Sequence, residues 1–256
     1  GSTKVGRIIA QTCARYLKPV VLELGGKAPL VILDDADIED AVNGAAFGCF
    51  ANSGQVCMST ERIIVDQKIA DEFVKKFGAK AAALPLGDPR KPEPVVLGSV
   101  IGMSTVHHCN ALIDDALAQG AKLVCGGKAE NTLMPATVLD FVTPKMRIYH
   151  EETFGPVKCI VRVKGVDAAV DCANDNEYGL SAAVFGRDIA RAFNVARKID
   201  SGICHVNAPT VHDEAQMPFG GVKGSGMGRF GGKAGIAEFT ELRWITVQTT
   251  PRHYPF

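Results

Sequence analysis

The sequence predicts an α/β protein with a mainly parallel, open sheet and helices on both faces. Three observations carry this. Short apolar runs recur at Leu30–Leu33, Ile63–Val65, Cys159–Val163, Ala182–Phe185 and Ile203–Val206. They are mostly apolar rather than strictly alternating, interrupted only by Arg162 and His205, as strands buried on both faces tend to be. Helical patterns stand between them, and strands alternating with helices imply parallel crossover units.

Taken in order, residues 3–16 place Val5, Ile8, Ile9, Thr12 and Tyr16 at helical spacing behind Ser2 or Thr3 as a cap, and Pro19 ends the pattern. Val20–Leu24, closed by Gly25-Gly26, reads as a buried strand. A strand at 30–33, a helix from Asp37 to about Asn52, a strand at 63–65 and a helix over 67–82 follow. The segment from Leu84 to Leu97 carries four prolines and reads as loop. Beyond it, helices near 103–119, 166–174 and 188–198 separate the strands at 122–125, 159–163, 182–185 and 203–206. Leu242–Gln248 alternates like an extended strand, an edge awaiting a neighbour such as a second copy of the chain.

The 256 residues are 46% hydrophobic, enough for a full core. Twenty-eight basic residues balance 28 acidic ones, so no global field draws the chain to nucleic acid or an anionic membrane. No apolar run has the length of a membrane span, and the expectation is a soluble cytoplasmic protein whose partners are a small molecule and other copies of itself. The eight cysteines are dispersed with no Cys-x-x-Cys, which speaks for reduced thiols and against a zinc site or disulfide framework. No metal site is expected. His107-His108-Cys109 reads as a partly exposed helix face, and His212-Asp213-Glu214 as solvated charge.

Two places carry potential chemistry. Glu23 stands at the end of an apolar strand, and the glycines after it let the backbone turn and leave room for a ligand. Burial there would raise its pKa toward that of a general base; on these residues alone it could equally be a strand-end acid paired with a lysine. Cys57 lies in a polar turn between a helix and a strand, where reactive groups tend to sit. A thiol acts as a nucleophile near neutral pH only with support for its thiolate, and an inert core cysteine is the alternative. Gly226-Met227-Gly228-Arg229-Phe230-Gly231 fits Gly-x-Gly-x-x-Gly, but a loop precedes it where a dinucleotide site requires a strand.

Four motifs occur in order: Glu-Leu-Gly-Gly-Lys at 23–27, Gly-Gln-x-Cys at 54–57, Glu-Glu-Thr-Phe-Gly-Pro at 151–156 and Pro-Phe-Gly-Gly-x-Lys at 218–223. In this arrangement the chain resembles the aldehyde dehydrogenase superfamily along its whole length. The resemblance implies NAD as cofactor, with NADP the alternative. It implies Cys57 as nucleophile, Glu23 as the base that activates water, Glu152 for the nicotinamide ribose, Phe154 for the nicotinamide face, and Gly1 and Ser2 beside the pyrophosphate. It also makes the chain the C-terminal catalytic portion of a longer enzyme. Residues 1–25 would then be a remnant of the dinucleotide-binding domain, 26–241 the catalytic domain, and 242–256 an oligomerisation strand and tail of a dimer or tetramer.

Within the superfamily, the stretch 207–219 and the ending 251–256 are similar to the branch acting on salicylaldehyde, benzaldehyde and vanillin. Val56, Met58, Val211 and Phe219 would give such a pocket apolar walls. Two other activities are compatible with a partial chain: cofactor-independent thiol esterase chemistry through Cys57 and Glu23, or a non-catalytic role in assembly.

Overall fold

The computed structural model describes residues 1–256. Helix α1 (Thr3–Arg15) starts at Ser2, whose Oγ accepts the Val5 N–H at 3.4 Å. Two residues, Leu22 and Glu23, then form β1. The main body continues through β2 (Ala28–Ile32), α2 (Ile38–Phe50), β3 (Thr60–Asp66), α3 (Ala70–Ala82), α4 (Met103–Ala118), β4 (Lys122–Cys125) and β5 (Thr137–Asp140). Next come the single turn α5 (Arg147–His150), β6 (Val157–Val163), α6 (Gly165–Asn174), β7 (Ser181–Phe185), α7 (Ile189–Ala196) and β8 (Ile203–Val206). The short β9 (Gly226–Met227) and α8 (Gly232–Glu238) complete the order.

Seven strands form one sheet in the order β4-β5-β6-β3-β2-β7-β8, every neighbouring pair parallel except β4 with β5. The register explains why the runs are mostly apolar. Ala183, Leu30, Ile63 and Ile160 align across four strands and point into the core beneath α2 and α3, where Phe73 and Phe77 stack with centroids 5.5 Å apart. The adjacent residues Val184, Val31 and Ile64 point to the opposite face, under α6 and α7. There α4 covers the β5–β6 end, on Leu139, Val157 and Cys159. Both faces are therefore apolar and both are covered, as the sequence predicted. No helix is long and apolar enough to cross a membrane.

One expectation changes. Val20–Leu24 does not join the sheet: only Leu22 and Glu23 pair, antiparallel to Met227 and Gly226. The approach is so close that a side chain at Gly226 would collide with the Leu22 carbonyl oxygen, and Gly226 also has φ of +125°. This separate ladder turns at Gly25-Gly26 before β2 begins. Leu242–Gln248 forms no strand within the chain, and Trp244 and Val247 are exposed. A ladder needs a second edge, and this chain offers that segment none.

Candidate active site

Three of the four motifs lie immediately before β2, β3 and β6, which are neighbours in the sheet. That adjacency gathers Glu23–Lys27, Gly54–Cys57 and Glu151–Pro156 at the amino ends of the parallel strands. Ligands of open α/β sheets usually bind at the carboxyl ends. At this end α2 delivers its C-terminal end to the cysteine loop, and α1 begins beside Glu23, with Gly1 against the Glu23 carbonyl.

The loop carrying Cys57 begins with three successive residues in the left-handed region: Asn52 (φ 51°), Ser53 (φ 56°) and Gly54 (φ 73°). Such a run costs free energy at the two residues with side chains. Bonds on both sides hold it. The Asn52 amide donates to the Gln55 carbonyl and the Gln55 amide to the Asn52 carbonyl, both at 3.2 Å, while Gln55 Oε1 accepts the Ile101 N–H at 2.8 Å. A Cβ at Gly54 would collide with the Gly155 carbonyl oxygen. The Gly-Gln-x-Cys spacing is thus a turn pressed against the 151–156 loop.

Cys57 is half-buried, and the backbone N–H groups of Cys57 and Met58 face its sulfur. Burial pushes the thiol up, and the Glu23 and Glu152 carboxylates raise it further, against the opposing pull of those N–H groups. Both Glu23 carboxylate oxygens are shielded from solvent and neither has a hydrogen-bond partner in the chain. Burial raises the Glu23 pKa, only partly offset by the Arg229 guanidinium. An unpartnered buried carboxylate is rare enough to need an explanation.

Glu152 accepts the Gly26 N–H through Oε1 at 2.8 Å, and burial raises its pKa. Its second oxygen lies where a Cβ on Gly25 would come within 2.9 Å. Gly25 and Gly26 are therefore glycines by crowding: one makes room for Glu152, the other for the Cys57 carbonyl oxygen, which a side chain would strike. Phe154 holds φ of 44° and leaves 41% of its surface exposed. A free carboxylate oxygen in the same loop as an exposed ring fits a hydroxylated sugar joined to a flat heterocycle.

The Gly1 nitrogen lies 2.7 Å from the Glu23 carbonyl oxygen, and the Ser2 hydroxyl is engaged as the α1 cap. Val56 and Met58 flank Cys57 and are half-buried. Phe219 instead lines a cavity of about 380 Å³ with Ile203, His205, His212, Asp213 and Met217. Val211 is absent from that lining. Asp213 connects this cavity to the site by raising the Glu23 pKa.

The sequence reading gave four residues beside the site no role in it. Glu61, Lys27 and Lys158 are buried charges directly beneath the site. His108, read as a helix-face residue, places Nε2 2.9 Å from the Glu152 carbonyl oxygen. The usable signal for the first set was a charge interrupting an apolar run, as at Val157-Lys158-Cys159. His212 pairs with Glu214 at 3.2 Å and stands edge-on to the His205 ring, centroids 5.3 Å apart.

Fold and site together define an α/β protein with an addressable thiol set between two desolvated carboxylates. The chain belongs to the aldehyde dehydrogenase family, whose model matches residues 1–245. It is 59% identical over 255 residues to a vanillin dehydrogenase of Pseudomonas fluorescens, covering 100% of this chain and 53% of that protein. The crystal structure of a salicylaldehyde dehydrogenase from Pseudomonas putida G7, complexed with salicylaldehyde, superposes with a TM-score of 0.97 at 53% identity, over 100% of this chain and 53% of that one. An NAD-dependent aldehyde dehydrogenase from Sinorhizobium meliloti gives a TM-score of 0.94 at 34% identity, over 100% of this chain and 51% of that one. The chain thus spans about half the length of the relatives it matches.

Proposed function

We propose that the protein oxidises an aromatic aldehyde of the salicylaldehyde type to its carboxylic acid, with NAD as electron acceptor and NADP as the alternative. The observation that carries this is Cys57 with two backbone N–H groups at its sulfur and the unpartnered Glu23 carboxylate close enough to shift its titration.

In this reading the Cys57 thiolate bonds to the aldehyde carbon, and the carbonyl oxygen becomes an oxyanion that the loop N–H groups are placed to stabilise. A bound nicotinamide supplies the acceptor for the hydride that leaves this carbon. Glu152 would hold the ribose hydroxyls and Phe154 the ring. What remains on Cys57 is a thioester. Glu23 takes a proton from water, the oxygen adds to the thioester carbon, and the carboxylic acid departs as the thiolate re-forms. Gly1 and Ser2 would lie beside the pyrophosphate, and Val56, Met58, Val211 and Phe219 would supply apolar walls to the ring. The names of the relatives support the aromatic substrate class.

The division into a remnant of the dinucleotide domain (1–25), a catalytic domain (26–241) and a strand that pairs between subunits (242–256) belongs to the same proposal. The unpaired, exposed stretch around Trp244 supports its last part.

The test uses native-length protein, with NADH formation followed at 340 nm and mass spectrometry of the acylated peptide, on salicylaldehyde and vanillin and on a short aliphatic aldehyde. Aromatic turnover with acylation at Cys57, abolished by Cys57→Ala, is expected. A preference for the aliphatic aldehyde would overturn the substrate class.

A further inference from the structure

Beneath the three site loops lies a fully buried charge cluster. Glu61, near the start of β3, accepts Lys27 Nζ from the head of β2 at 2.8 Å and Lys158 Nζ from β6 at 2.9 Å. It also accepts the Thr153 N–H at 3.0 Å and the Thr153 hydroxyl at 2.6 Å. Lys158 donates a further bond to Ser59 Oγ at 3.0 Å, two residues beyond Cys57. All three charged side chains are at most 3% exposed.

Burying three charges is costly even when they are paired, and apolar residues of similar volume would often be at least as stabilising. The cluster's connectivity is what apolar residues could not reproduce. It ties the end of the cysteine loop through Ser59, Lys158 and Glu61 to Thr153. Thr153 stands between Glu152 and Phe154, and Phe154 has a backbone that non-glycine residues rarely adopt. On the other side of that loop His108 contacts the Glu152 carbonyl, and the Cys109 thiol lies 3.6 Å from the Thr153 carbonyl oxygen.

We infer that Glu61 is a positioning residue, which through Thr153 fixes Glu152 and Phe154 relative to Cys57. The inference rests on the dehydrogenase reading above. It assigns Glu61 no contact with substrate or cofactor, and its effect falls on the step that needs the nicotinamide. Hydrolysis of an activated ester needs only Cys57 and Glu23, so the two activities separate the role.

Native-length wild type, Thr153→Val, Thr153→Ser and Glu61→Gln are compared. Thr153→Val keeps the side chain's shape and removes the hydroxyl bond to Glu61. Misplacement of a positioned group by about 1 Å costs roughly 10²-fold, so the ratio of NADH formation to ester hydrolysis should fall at least about ten-fold, with a higher KM for NAD. Thr153→Ser should restore both, and Glu61→Gln should resemble Thr153→Val. An unchanged ratio and KM, or a parallel loss of both activities that serine does not restore, would overturn the inference.

Amide hydrogen exchange of residues 152–155 in the unliganded protein reads the order of the loop independently of turnover. Exchange should quicken in Thr153→Val and not in Thr153→Ser; equal protection in the two sinks the positioning role. A wild type inactive in both assays whose exchange still responds in this way would retain Glu61's placement of the loop and remove the dehydrogenase reading.

Discussion

Gly26 and the Cys57 carbonyl oxygen are in such close contact that no side chain fits between them. The reactive loop is thus seated directly on the turn that follows Glu23. Gly26→Ala must displace one or the other. Overpacking of this kind costs about 1–3 kcal/mol, measurable by denaturant unfolding. The rate of Cys57 alkylation should fall together with turnover, because the displaced atom belongs to the residue proposed as nucleophile.

Glu23→Gln should have two opposite effects. Removing the carboxylate takes away one of the influences that raise the Cys57 thiol, so the pH midpoint of its alkylation moves down and alkylation near neutral pH quickens. Burial, the larger cause, remains, and the midpoint stays above that of a free thiol. At the same time the proposed base for deacylation is lost, and general-base catalysis contributes typically about 10²–10⁴-fold. Acyl-enzyme should accumulate, visible by mass spectrometry. A variant that turns over at the wild-type rate would remove Glu23 as the base.

The Glu61 cluster sets an acid limit on stability. Burial alone would raise the Glu61 pKa, but the Lys158 and Lys27 charges and the Thr153 hydroxyl outweigh it and hold the carboxyl well below the usual range. A folded pKa below the unfolded one gives stability that is complete above the unfolded pKa and lost as pH falls through the folded one. Removing one partner of a buried pair costs about 3–5 kcal/mol. Glu61→Gln should therefore be destabilised by about that much at neutral pH, and unfolding curves of the two proteins should converge in strong acid. A constant gap across that range would contradict the buried charge.

Native-state alkylation near pH 8 should divide the cysteines. Burial pushes Cys49 and Cys109 up to about 12 and Cys159 to about 11. These three should stay unlabelled while Cys57 reacts, and all eight should label in denaturant. Peptide mapping by mass spectrometry reads this out. Early labelling of Cys49 would mean that the α2 side of the core opens locally.

The sheet was legible because burial on both faces leaves a mostly apolar run, and the helices because their apolar faces recur at helical spacing. Errors fell where charge enters such a run. The expected strands at 63–65 and 159–163 each began after a charged residue; the structure extends them back through Glu61-Arg62 and Lys158. Glu61 and Lys158 hold the site loops, whereas Arg62 binds the carbonyls of Cys172 and Ala173 at the end of α6. A sequence displays a buried charge without displaying its partner, and the partners here come from other strands. The β1–β9 ladder was hidden for a related reason, since two residues paired across about 200 positions leave no periodicity. Cys57 and Glu23 were singled out through motif order, whereas their desolvation required the fold.

Ser225 joins distant parts of this chain: its hydroxyl donates to the Gly25 carbonyl, 200 positions away, at 2.7 Å and accepts the Gly179 N–H at 2.9 Å. Contacts so remote along the polypeptide form late, because the entropy of closing the intervening loop is lost before the bond compensates it. The turn that seats the reactive loop is therefore fastened only once nearly the whole chain has been collected. During refolding, native-like far-ultraviolet dichroism should return before the distinctive alkylation behaviour of Cys57, which makes this one sulfur a reporter of the final stage of assembly.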